Sequence, residues 1–157
     1  MNTISLTCLI TAAMAVAGCT NTMPRSSSDA VLKDSSNAVP GVILVQVHGF
    51  KKQEGQVSLA LFDEAGYKGG APVRGKNADV TGEVVTVKFE GLPAGDYGIK
   101  MYQDVDRNGK MNANAFGIPT EPYAFSNNAK GMMGPAKWDA AKFTVTEGGA
   151  VQRISVK

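Results

Sequence analysis

From residue 42 onward the apolar residues come in short runs with a period of two, each stopped by glycine or by a cluster of charges. That spacing puts alternate side chains on opposite faces of an extended strand and leaves little room for an amphipathic helix. Residues 42–47 are a run rich in β-branched residues, broken only by Leu44 and Gln46, and in 56–62 the residues Val57, Leu59 and Leu61 share one face. Gly55, with Lys51, Lys52 and Glu54, predicts the turn that joins these two strands. A second hairpin is expected between 83–89 and 96–102 across Gly91-Leu92-Pro93-Ala94-Gly95, and a third between 142–146 and 150–156 across Gly148-Gly149. Together with one short helical turn near Trp138, these elements predict an all-β antiparallel sandwich of about seven strands over residues 41–157.

Such a body has no covalent staple, because both cysteines, Cys8 and Cys19, precede it. An intradomain disulfide and a thiolate metal cluster are thereby excluded. The balance of 16 Lys and Arg against 14 Asp and Glu, with no basic block, argues against nucleic acid as a partner. The single histidine, His48, is expected solvated or hydrogen-bonded at a strand end. It removes most zinc-hydrolase and Ser-His-Asp layouts, which need several imidazoles or one placed beside a nucleophile.

Residues 4–18 are apolar, too short to span a bilayer stably, and closed by small side chains, as in the central region of a secretory signal. Val16-Ala17-Gly18-Cys19 resembles the bacterial lipobox, where cleavage precedes a cysteine that receives acyl chains. Residues 1–18 are therefore expected to be a signal peptide and Cys19 the lipidation site, which makes the membrane a partner. Thr20, where Asp would favour inner-membrane retention, points to an outer-membrane lipoprotein. One departure is that residues 1–8 contain no Lys or Arg. The alternative is an ordinary signal peptide that releases a soluble periplasmic or secreted protein. Residues 19–40, rich in Ser, Asn, Asp and Ala without a sustained apolar period, read as a flexible tether.

Between Val105 and Ala141 no convincing strand is legible, and a structureless stretch of that length is uncommon in a compact domain. Its apolar content (Phe116, Ile118, Pro119, Tyr123, Phe125, Met132, Met133, Trp138) predicts an ordered flap docked on the sandwich, folded internally by its many Asn side chains. The opening, from Asp104 to Asn112, has the cadence of a calcium loop: Asp104, Asp106, Asn108 and Asn112 supply side-chain oxygens, Lys110 a carbonyl, and Gly109 the sharp turn. The twelfth position is Ala115, so the closing carboxylate has to come from elsewhere, and Glu121 on the flap is the candidate. The competing reading is a bare Asx-rich turn, favoured by the small number of carboxylates in the loop.

Tyr123, Phe125 and Trp138 are candidates for a stacking platform that binds a sugar or similar ligand, and equally for the flap's hydrophobic underside. Asp104, Asp106 and Glu121 are acidic groups that could pair for acid–base work, as in glycoside hydrolysis. Asp-x-Asp in an Asn/Gly turn is more often structural, and Ser126 has no base nearby in the sequence. No catalytic residue is assigned, and the chain is not expected to be an enzyme.

Two resemblances extend this reading. Phe89-Glu90-Gly91-Leu92-Pro93-Ala94-Gly95-Asp96-Tyr97 resembles the strand-turn-strand signature of transthyretin-like and carboxypeptidase-regulatory-like sandwiches, which implies that Leu92 plugs the core and Tyr97 re-enters the sheet. Residues 104–114, the run Phe116-Gly117-Ile118-Pro119-Thr120-Glu121-Pro122-Tyr123-Ala124-Phe125-Ser126-Asn127-Asn128, and Gly134-Pro135 leading to Ala141-Lys142-Phe143 are similar to the uncharacterised bacterial family called domain of unknown function 2141. The resemblance implies exported sandwich proteins with no agreed activity. Gln103 stands where that family often has His, and Asn112 where it often has Asp, which removes one carboxylate from the loop. The expected function is a non-catalytic module that binds an envelope protein or glycan through the flap and strand edges. Two alternatives stand beside it: a calcium or small-ligand binder centred on 104–112, and a carboxylate-dependent hydrolase.

Overall fold

The computed structural model describes residues 41–156; the expected signal peptide 1–18, the expected lipidation site Cys19 and the expected tether 19–40 lie outside the described residues. In chain order the strands are β1 (Ile43–His48), β2 (Gln56–Phe62), β3 (Arg74–Asp79), β4 (Val84–Phe89), β5 (Gly95–Asp104), β6 (Tyr123–Phe125), β7 (Phe143–Val145) and β8 (Ala150–Ser155). Two single-turn helices, α1 (Glu64–Tyr67) and α2 (Trp138–Ala141), and a 3-10 turn at Ser126–Asn128 complete the described residues. One sheet has the order β4-β1-β8; the other runs β3-β2-β5-β6, with β7 also paired to β5.

The period of two makes the core. Ile43, Val45 and Val47 of β1 and Val85, Val87 and Phe89 of β4 face inward from the first sheet. From the second come Val57, Leu59 and Leu61 of β2 with Ile99 and Met101 of β5, all buried. Each such side chain contributes roughly 1.5–3 kcal/mol on leaving water. Leu92 is buried among them, and the Tyr97 hydroxyl donates to the Pro93 carbonyl at 3.0 Å, which ties the link before β5 to the strand it starts.

The all-β sandwich matches the expectation from periodicity, but with eight strands and different partners. β1 pairs with β4 and β8 while β2 pairs with β3 and β5, so the Gly55 turn carries the chain between sheets instead of closing a hairpin. Links 90–94 and 146–149 likewise cross from one sheet to the other. The β1–β8 pair is parallel, from Ile43 opposite Ala150 to His48 opposite Ser155. Alternation fixes which face of a strand is buried and says nothing about its neighbour. β3, Arg-Gly-Lys-Asn-Ala-Asp, was invisible to an apolar scan because it is an almost wholly polar edge strand. β6 was invisible because it has three residues, inside the stretch expected to hold no strand.

The Ser126-Asn127-Asn128 turn is a connector. The buried Ser126 hydroxyl accepts from the Ile99 N–H at 2.9 Å, just beyond the last β5–β6 pair, and donates to the Ala141 carbonyl. Asn127 donates from its side-chain amide to the Ala140 and Lys142 carbonyls. Asn128 donates to the Arg153 carbonyl and accepts from the Ser155 N–H, satisfying the edge of β8 with a side chain in place of a ninth strand. Asn127 and Asn128 have φ of 57° and 53°, a region asparagine tolerates better than most residues.

Candidate functional site

The flap leaves β5 at Asp104 and divides into two arms separated by β6 and the 3-10 turn. The first arm begins with the acidic loop. Asp104, fully buried, accepts from the Asn108 N–H through Oδ1, and from the Gly109 N–H and the Gln56 side-chain amide through Oδ2. The hydrogen bond from Gln56 and the two backbone N–H groups stabilise the ionised carboxylate and hold its pKa below the ordinary 3.8, against the opposing effect of burial. Glu121 is also buried and reaches back from the end of the arm: Oε1 accepts from Val105 N–H and Oε2 from Asn112 N–H, both at 2.9 Å. It thereby clamps the arm at both ends.

Carboxylate oxygens of Asp104, Asp106 and Glu121 come within 4.8 Å of one another. The Asn108 and Asn112 side chains point their N–H groups at Asp106 Oδ2, each at 2.9 Å. Arg107, at φ 59°, turns away to pair with Asp79 at 2.8 Å and to donate to the Gly55 carbonyl. No Lys or Arg side chain pairs with the three carboxylates among the described residues. Of the six residues in the predicted ligand set, Asp104, Asp106 and Glu121 converge. Asn108 and Asn112 touch the same cluster through their amides. Lys110 is exposed, and its N–H donates to Asn108 Oδ1. A hard cation would require the two Asn amides to turn their oxygens inward.

Beyond the loop the first arm folds back on itself. Asn112 accepts from Thr120 and Asn114 bonds with Ile118 through the backbone, while the Asn114 side chain accepts from the Phe116 and Ile118 N–H groups. This small hairpin displays Phe116, 88% exposed, and Ile118, 58% exposed, at its tip. They were expected to dock on the sandwich, as were Met132 and Met133 on the second arm, which are also exposed. The difference has a physical cause: the sandwich has already buried its own apolar faces, and the arms are held by Asn and Glu hydrogen bonds.

Between the arms and the outer face of the second sheet lies a groove of about 680 Å³. Its floor follows from register. Ala60, Lys100 and Phe125 lie side by side across β2, β5 and β6, with Ser58, Tyr102 and Tyr123 in the next row. The small Ser58 and Ala60 give the groove its depth. Met111 and 116–119 form one wall, and Gly131 with 133–135 the other. Lys100 is the only charged residue on this lining.

Of the predicted aromatic platform, Tyr123 and Phe125 line the groove, packed edge to face at 5.8 Å between centroids. Trp138 does not. It is buried in a second apolar cluster with Phe62, Tyr67, Phe125, Ala136 and Ala141. Lys100 leans over that cluster, 4.3 Å from the Tyr67 ring centroid and 4.9 Å from Phe62, and donates to the Tyr67 carbonyl at 2.8 Å. Sequence reasoning missed Lys100. Its one visible signal was a lysine in a strand whose other alternate residues face a second apolar layer.

No curated protein and no solved structure matches the chain. Residues 45–153, which include the acidic loop, Glu121 and the Ser-Asn-Asn connector, match the family described as "Uncharacterized protein conserved in bacteria (DUF2141)", and the chain belongs to that family.

Proposed function

We propose that this protein is an exported, lipid-tethered envelope module that binds an apolar ligand in the groove between its flap and its outer sheet face, without catalysing a reaction. The groove carries the reading: about 680 Å³ lined by methionine, aromatic, proline and small residues, within the range of roughly 300–1,000 Å³ common to small-molecule sites. An exposed Phe116 and Ile118 on a hydrogen-bonded hairpin, with an exposed Met133 facing them on the other wall, is unfavourable surface unless something covers it. Met133 is held at φ 115°, a strained backbone for a side-chain-bearing residue, of the kind that concentrates at binding sites. Tethering rests on Val16-Ala17-Gly18-Cys19. An apolar ligand now takes precedence over the glycan, because the lining offers a sugar few polar partners. Catalysis is disfavoured because Asp104, Asp106 and Glu121 do not line the groove and their oxygens already accept N–H groups.

The test is titration with a neutral naphthylamine dye whose emission rises on leaving water. Saturable binding is expected, weakened at least tenfold by Ile118→Asp, a change at an exposed residue that leaves the core intact. Equal binding by the variant, or none by the parent protein, overturns the reading. A second reading concerns calcium at Asp104, Asp106 and Glu121, supported by three converging carboxylates with no Lys or Arg partner among the described residues. Calorimetry with calcium on chelated protein tests it: heat at millimolar ion that disappears in Asp106→Asn supports it, and no heat dismisses it.

A further inference from the structure

Resting on the reading of the groove as a ligand site, we infer that its ligand is a single-chain amphiphile with an anionic head, the chain lying over Ser58 and Ala60 and the head held by the ammonium of Lys100. Two observations define the chemistry. The lining is apolar along both walls, with one positive charge and no negative one. That charge has no carboxylate partner among the described residues; its contacts are the Tyr67 carbonyl and the faces of Tyr67 and Phe62.

A lysine on the floor of an apolar groove, its ammonium resting at the groove's edge against Tyr67 and Phe62, is a costly choice for structure alone. In register it stands between Ala60 and Phe125, where an apolar residue would pack as well. Burial pushes its pKa down, as expected for a cation withdrawn from water without a counter-charge. The aromatic faces and the single carbonyl hold the Nζ in place but do not neutralise it. A three-donor ammonium with one acceptor has two N–H groups left for a carboxylate or phosphate oxygen. A charge-assisted bond of that kind in an apolar groove discriminates against a neutral head. A cationic head is repelled.

The decisive comparison uses three ten-carbon probes below their micellar concentrations: decanoate, decanol and decyltrimethylammonium, titrated into the full-length protein. The expected order is decanoate tightest, decanol about tenfold weaker, and the cation weakest. In Lys100→Met, which keeps the apolar stem, decanoate binding falls to the level of decanol while decanol binding is unchanged. If the parent protein binds decanoate and decanol equally, or Lys100→Met leaves their ratio unaltered, the anionic-head inference is overturned while the apolar groove stands. If none of the three binds, the groove reading itself fails.

Discussion

Tyr67 offers a sharp test of the cluster that supports Lys100. Its ring is buried, 5.4 Å from Trp138 and 5.9 Å from Phe62 between centroids, and its hydroxyl, fully enclosed, has no hydrogen-bond partner among the described residues. A buried hydroxyl left unpaired costs about 1–3 kcal/mol. Tyr67→Phe removes that oxygen and keeps the ring, the T-shaped contact with Phe62, and the backbone carbonyl that Lys100 uses. Stability should rise by about 1 kcal/mol, which for a domain of this size raises Tm by roughly 4 °C. Alkaline behaviour gives an independent reading. Burial pushes the Tyr67 pKa from 10.0 up to about 12. A raised pKa means that the folded state keeps its proton longer than the unfolded chain, so the associated stability is complete below pH 10 and is lost as pH rises toward 12. Denaturant melts at pH 8 and pH 11 should show the parent losing more stability than Tyr67→Phe over that interval. A variant less stable than the parent by 1 kcal/mol or more would show that the hydroxyl has a partner and refute the argument.

Three further outcomes follow from named contacts. Ser126→Ala strips a partner from the buried Ile99 N–H and from the Ala141 carbonyl, and should cost about 2–4 kcal/mol in a urea melt, against less than about 0.5 kcal/mol for Thr144→Ala at an exposed pair. Gly98→Ala places a Cβ 2.9 Å from the Tyr67 ring and 3.0 Å from Trp138, and should cost about 1–3 kcal/mol and shift the emission of the single tryptophan. Because Gln56 and two backbone N–H groups depress the Asp104 pKa, the stability it contributes is present above 3.8 and lost as pH falls below that value. In an acid melting series, Gln56→Ala should lose less stability than the parent as pH falls below 3.8, and equal losses would contradict the assignment.

Much of the fold was legible because one physical rule, alternation across a half-buried sheet, operates along most of the chain. Val57-Leu59-Leu61 and Val85-Val87-Phe89 announced their inner faces, and Leu92 and Tyr97 took the places that the turn signature implied. Pairing was not legible, since the same alternation serves a strand in either sheet, and only long-range packing sets β8 parallel to β1. The acidic loop was legible as a motif, and Glu121 as its candidate closing residue, because Asn, Asp and Gly have local conformational roles. The groove was not. It depends on which aromatic rings the sandwich has room to bury: Trp138 and Phe125 found a second cluster, while Phe116 and Ile118 were left at a hairpin tip. Lys100 escaped notice because its meaning comes from neighbours 40 and 25 residues away, Ala60 and Phe125, and from the missing carboxylate.

The most direct test of the groove uses methyl NMR on protein labelled at the methionine methyl groups. Met111 and Met133 line the groove, whereas Met132, also exposed, does not. On addition of decanoate, the Met111 and Met133 signals should move saturably and together while Met132 stays in place. Uniform small shifts at all three, or no shift at Met111 and Met133, would contradict the account.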